Sequence, residues 1–116
     1  MKLKSRNLLR SAALLSFAII SLLPAYAASP KRGAQLFADN GCDQCHSIHG
    51  VGGDKGPQLS DVGLRRDKKE IRRQIVKGGR QMPAFGDVLR KSEVSDLVAY
   101  LQSCKDKPTK QTVAAK

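Results

Sequence analysis

Cys42, Cys45 and His46 stand in the run Cys42-Asp43-Gln44-Cys45-His46, in a chain that holds three cysteines and two histidines. Two thiols separated by two residues on a tight turn can each reach one vinyl group on the same edge of a porphyrin. The next residue then meets the iron from the proximal side with its ring nitrogen. The run therefore predicts one haem c, bound covalently through Cys42 and Cys45, with His46 as an iron ligand. Other chemistries explain less of the chain. A thioredoxin-like redox pair belongs beside a βαβ pattern, and no strand-helix-strand alternation is present. A structural zinc site needs four Cys or His ligands, and His49 with the solitary Cys104 does not make a second cluster. A plain disulfide would leave the adjacent histidine an accident.

An iron held by one histidine takes a sixth partner. Met82 lies 36 residues beyond His46, in a segment bounded by Gly78-Gly79 and Pro83 that cannot continue as regular helix. A methionine there is freer to point inward than one on a helix face, and His/Met ligation raises the potential. The competing reading of Met82 is an adaptable core filler. His49 is the other candidate for the sixth position, but it sits three residues from His46 on the same short turn and reads as a surface histidine.

With those residues placed, the stretch from about Gly33 to Leu101 resembles the small single-haem class I cytochromes c of the short bacterial type. Gly33 and Phe37 look like the glycine and aromatic pair of the family's first helix. Cys42 to His46 is its attachment run, Gly56-Pro57-Gln58-Leu59 resembles the loop that follows, and Met82-Pro83-Ala84-Phe85 resembles the distal ligand segment. Leu97 and Tyr100 resemble the contact face of the last helix. The resemblance implies that the Pro57 carbonyl accepts a hydrogen bond from the second nitrogen of His46, fixing the ring and raising its basicity; a rigid loop corner explains Gly56-Pro57 equally well. The family's tryptophan near a haem propionate is absent, which leaves Arg80, by its nearness to Met82, as the candidate partner for that group.

Three helices are predicted to position these residues. Ser29 caps and Pro30 opens the first, which carries Leu36 and Phe37 and closes at Asn40-Gly41. Asp67 with Glu70 forms a capping box for the second, with Ile71 and Ile75 on one face and a stop at Gly78-Gly79. Ser92 is predicted to cap the last, where Val94, Leu97, Val98 and Leu101 fall at i, i+3, i+4 and i+7. Residues Gly50 to Gly63 are glycine-rich and aperiodic and read as a wrapping loop. The expected fold class is all-α: a small cytochrome c fold of three or more short helices and irregular loops wrapped around one covalently attached haem.

The full chain has 116 residues, too few for a doubly wound nucleotide fold or an α/β barrel. Basic residues Lys2, Lys4, Arg6 and Arg10 precede an apolar run that ends at Pro24 and Ala25-Tyr26-Ala27, the pattern of a secretory leader cleaved after Ala27. The expected organisation is a leader over 1–27, a haem domain over 28–104 and a polar tail over 105–116, with the product in the periplasm. A domain so short buries limited apolar surface, and a large apolar cofactor supplies the missing interior.

The formal charge is +11. Four of the 21 Lys and Arg and none of the acids lie in the leader, so the remainder carries +7. Arg65, Arg66, Lys68, Lys69, Arg72, Arg73, Lys77 and Arg80 concentrate that charge against Asp67 and Glu70. A solvated helix face accounts for part of the cluster. Its functional reading is docking to an acidic patch on a redox donor or acceptor, with an anionic membrane surface as a further attractor; export disfavours nucleic acid. Cys104 is left over once two thiols hold the haem. A buried, unpaired thiol in a monomer is preferred to a Cys104-linked dimer.

The resulting expectation is a periplasmic carrier that moves one electron at a time between respiratory-chain partners on a His/Met-ligated haem, and that is not an enzyme. The alternatives are a haem c subunit bound to a dehydrogenase or oxidase complex, and a five-coordinate catalytic or gas-sensing haem protein in which Met82 is not a ligand.

Overall fold

The computed structural model describes residues 25–107. Residues 1–24 of the expected leader and 108–116 of the expected tail lie outside the described residues. The elements run in the order α1 (Pro30–Asp39), a 3-10 turn (Cys42–Gln44), β1 (Ser47–Ile48), β2 (Val51–Gly52), α2 (Val62–Arg65), α3 (Lys68–Lys77) and α4 (Lys91–Ser103). Among the described residues, no helix is long and apolar enough to cross a membrane.

Local chemistry starts and stops α1 and α3 where the sequence predicts, whereas the short α2 begins inside the expected loop. The Ser29 side chain accepts from the Arg32 N–H, Pro30 takes the first helical position, and Asn40 caps the end of α1. For α3 the reciprocal pair is complete: Asp67 accepts from the Glu70 N–H at 2.8 Å and Glu70 from the Asp67 N–H at 3.0 Å, and Gly78 ends the helix.

The cap of the last helix and one local element differ from the expectation. The last helix is capped by Arg90, not Ser92. Glu93 folds back to accept from the Arg90 N–H at 2.8 Å and from its guanidinium at 2.9 Å, which satisfies a donor at the start of the helix two residues earlier than a serine cap would. The mostly helical fold agrees with the expected class, to which it adds one small unpredicted element. Ser47 pairs with Gly52 and Ile48 with Val51 in a small antiparallel hairpin, turned by His49 and Gly50 at φ 52° and 76°. Positive φ at both central residues is the turn type that matches strand twist.

Helix α4 is the spine: α1, α2 and α3 all pack on it. Its predicted apolar face, Val94, Leu97, Val98 and Leu101, is buried, together with Phe37, Ile48, Val62, Ile71, Ile75, Leu89 and Cys104. Gly33 brings α1 close to α4, and the Phe37 ring meets Tyr100 edge-on with centroids 5.8 Å apart. Cys104 is 5% exposed, and burial pushes its thiol up, so the group needed for an interchain disulfide is withdrawn from solvent.

Asp96 lies off this face, on the side of α4 that meets α1, and is 2% exposed. Arg32 grips its carboxylate through two nitrogens at 2.9 and 3.1 Å, the Ser29 N–H donates at 2.6 Å, and the Tyr26 hydroxyl donates as well. The Arg32 guanidinium, helped by those donors and opposed by burial, holds Asp96 down at about 2. Three of the four donated bonds come from Ser29 and Arg32, beyond the expected leader, and they satisfy this buried charge, the condition under which one is tolerated. After α4 the chain stays tied to the body. The Gly63 N–H donates to the Cys104 carbonyl at 2.8 Å, the Asp106 N–H to Ser60 at 3.0 Å, and the Asp106 carboxylate lies 2.6 Å from His49 Nδ1.

Candidate haem site

Gly41, at φ 69°, ends α1 and turns the chain into the 3-10 turn. The N–H groups of Cys45 and His46 both donate to the Cys42 carbonyl, at 3.2 and 2.9 Å, so the two cysteines and His46 share one tight turn. Both thiols are free and half-buried, and burial pushes Cys42 up. The loop after the hairpin wraps this turn: the N–H groups of Gly53, Gly56 and Leu59 donate to the carbonyls of Asp43, Cys45 and Ser47 at 2.8, 2.7 and 2.9 Å.

That loop orients the imidazole. His46 Nδ1 is 2.7 Å from the Pro57 carbonyl. A carbonyl only accepts, so Nδ1 carries the proton and Nε2 keeps its lone pair for a metal. Gly56 lies against the face of the same ring; a Cβ there would sit 2.6 Å from Cε1 and 2.8 Å from Nδ1. Only a glycine leaves the ring in that position.

A second turn presents Met82. Helix α3 ends at Gly78, φ 62°, followed by Gly79 at 140° and Arg80 at 53°. Gly79 and Met82 exchange two backbone bonds of 3.0 Å each, so Arg80 and Gln81 form the tip and Met82 returns toward the helix. The segment is then fastened to the end of α3 by donation from the Phe85 and Gly86 N–H groups to Ile75 and Val76 at 3.0 and 3.2 Å. Met82 is half-buried and Arg80 exposed. Cys42 from the first turn, Leu59 from the loop and Phe85 from the second turn all pack on the one hydrophobic core.

Two participants escape sequence reasoning. The clearance role of Gly56 depends on where His46 points, and only its place beside Pro57 hints at it. Gln74 donates from Nε2 to the Gly78 carbonyl at 3.1 Å and to Met82 Sδ at 3.7 Å, a contact created by the returning turn. His49, exposed and bonded to Asp106 at the hairpin tip, stays apart from both turns.

The predicted basic residues are all exposed. Arg65 pairs with Asp61 and Arg66 with Glu70, whereas Lys68, Lys69, Arg73, Lys77 and Arg80 have no ion-pair partner among the described residues. Two free thiols on one turn, an imidazole with one nitrogen committed to a carbonyl, and a glycine clearing its face form a donor set suited to a covalently attached haem.

Comparison with known proteins supports a covalently bound haem c. The family described as cytochrome c oxidase, cbb3-type, subunit III matches residues 28–101. The chain is 30% identical over 87 residues to cytochrome c oxidase subunit 2 of Alkalihalophilus pseudofirmus, covering 64% of this chain and 25% of that protein. It is 34% identical over 80 residues to the cytochrome bc1 complex cytochrome c subunit of Corynebacterium diphtheriae, covering 67% and 28%. The chain thus spans about a quarter of the length of these relatives. The solved structure of the c-type cytochrome SorU from Sinorhizobium meliloti superposes with a TM-score of 0.56 at 22% identity, over 66% of this chain and 90% of that one, a likeness of fold.

Proposed function

The chain belongs to the family described as cytochrome c oxidase, cbb3-type, subunit III, and on that premise we propose that it is a periplasmic carrier passing one electron at a time between redox proteins. Its cofactor is a covalently bound haem c, which supplies a one-electron ferric/ferrous couple. In the reading put forward here Cys42 and Cys45 would hold the haem through two thioether links, and His46 and Met82 would ligate its iron. Pro57 keeps His46 in the tautomer that frees Nε2, Gly56 keeps the ring upright, and the turn at Gly79 to Met82 delivers the thioether. The two hydrogen-bonded turns would hold both donors in place in either oxidation state and would leave no iron position for a substrate, which favours a carrier over an enzyme. Arg80, exposed beside Met82, is the proposed partner of a propionate.

The observation that carries this reading is the 2.7 Å contact between His46 Nδ1 and Pro57 next to two free thiols. Protein matured in a host with a haem c assembly system is expected to show a Soret band and to keep its pigment through acid acetone. Pigment that washes out would overturn it.

The unpaired cations of α3 suit an acidic face on a redox protein, or an anionic membrane surface. Electron-transfer rates with the physiological partner are expected to fall on the order of tenfold between low and physiological ionic strength, because screening removes the steering. A rate indifferent to salt would sink the docking role. A second reading, a haem subunit held in a larger redox complex, is favoured by relatives named as subunits of oxidase and bc1 assemblies; copurification with a larger catalytic subunit distinguishes it.

A further inference from the structure

We propose that Gln74 is a positioning residue that tunes the donor strength of Met82, and so the reduction potential, through a hydrogen bond from its amide to the thioether sulfur. The proposal rests on Met82 being the sixth ligand. Gln74 lies on the last turn of α3, and its Nε2 carries two hydrogens. One goes to the Gly78 carbonyl at 3.1 Å, which fixes the amide; the other points at Met82 Sδ at 3.7 Å. The Gly79–Met82 bridge brings residue 82 back over residue 74, and Gly79 leaves the amide room, since even a Cβ there would stand 3.8 Å from Nε2.

A thioether sulfur has two lone pairs. With one engaged by the amide, the other is left for the iron, and electron density drawn toward the N–H makes the sulfur a poorer donor to the ferric state than to the ferrous one. Hydrogen bonds to a metal's ligands tune the metal in this way. The bond therefore favours reduction. A glutamine that merely closed the end of α3 would need only the Gly78 contact and would affect stability alone.

The test measures the reduction potential and the Met-to-iron charge-transfer absorption of the haem-loaded protein in wild type, Gln74→Leu and Gln74→Asn. Leu keeps the bulk without a donor, and Asn keeps the amide but is one methylene too short. Both variants are expected to retain the Met82 absorption while their one-electron equilibrium shifts three- to tenfold toward the oxidised form, about 30–60 mV at 59 mV per tenfold. An unchanged potential with Met82 still bound overturns the tuning role and leaves the ligand reading standing. Loss of the absorption in the variants alone also overturns it, since Gln74 would then hold Met82 in place rather than tune it. Absence of the absorption in wild type removes the Met82 reading and this proposal with it.

Discussion

Met82→Ala is expected to convert a closed, six-coordinate haem into one that binds carbon monoxide rapidly when reduced, while the fold survives. Met82 sits on a turn whose shape is set by backbone bonds between Gly79 and residue 82, none of which uses the side chain. The turn stays anchored through Phe85 and Gly86 to the end of α3, so truncation removes the thioether without releasing the segment. His49 is badly placed to replace it. It lies on the hairpin tip with φ at 52°, its Nδ1 bonded to Asp106, three residues from His46. The potential is expected to fall by on the order of 0.2 V, a fraction of the roughly 0.8 V that axial ligands span. Optical spectra of both oxidation states, carbon monoxide binding kinetics and a potentiometric titration check this. Wild-type protein that bound carbon monoxide as fast as the variant would show that Met82 is not a ligand and would revive the five-coordinate alternative.

What the sequence exposed and what it hid divide along the range of the interactions. The caps of α1 and α3 are legible because Ser29 with Arg32, and Asp67 with Glu70, complete their bonds within three residues. The Cys42 to His46 turn is legible for the same reason, since its closing bonds span three and four residues. The start of α4 is misplaced because two rules compete over Arg90 to Glu93: a serine is the better cap by type, but Glu93 reaches back to Arg90 and secures the N–H there. The hairpin is hidden because strands of two residues show no alternation and its turn is His49-Gly50 rather than the usual Asn-Gly. Asp96 is the deepest omission. It falls off the apolar stripe of α4, where a charge reads as solvent-facing, and the residue that makes its burial tolerable, Arg32, lies 64 positions away. The Gln74 contact with Met82 likewise exists only because a positive-φ turn folds the chain back. Long-range partners of this kind leave no periodic trace.

The helix crossing that frames the site makes the second large effect predictable. In an isolated helix Gly33→Ala would be favourable by roughly 1 kcal/mol. Here the new Cβ would stand 2.1 Å from the Asp96 carbonyl oxygen and 2.6 Å from Tyr100 Cβ, both on α4. Neither neighbour is the free end of a flexible side chain, so relief requires α1 and α4 to separate. Overpacking of this kind costs about 1–3 kcal/mol and on occasion more, and a clash with backbone belongs at the upper end. Gly33→Ala is therefore expected to destabilise the haem-loaded protein by about 2 kcal/mol net of helix propensity, a large share of the stability of a domain this small. Denaturant unfolding should show it as a lower midpoint, with Ala34→Gly on the same helix reporting the propensity term by itself. Separation would also strain the Arg32–Asp96 pairing and the Phe37–Tyr100 contact. Because α1 runs through Asn40-Gly41 straight into Cys42, the displacement should reach the attachment turn and lower the yield of haem-bearing protein in the same variant. A Gly33→Ala protein as stable as wild type would mean that the close approach of α1 and α4 is not what holds this end of the molecule together.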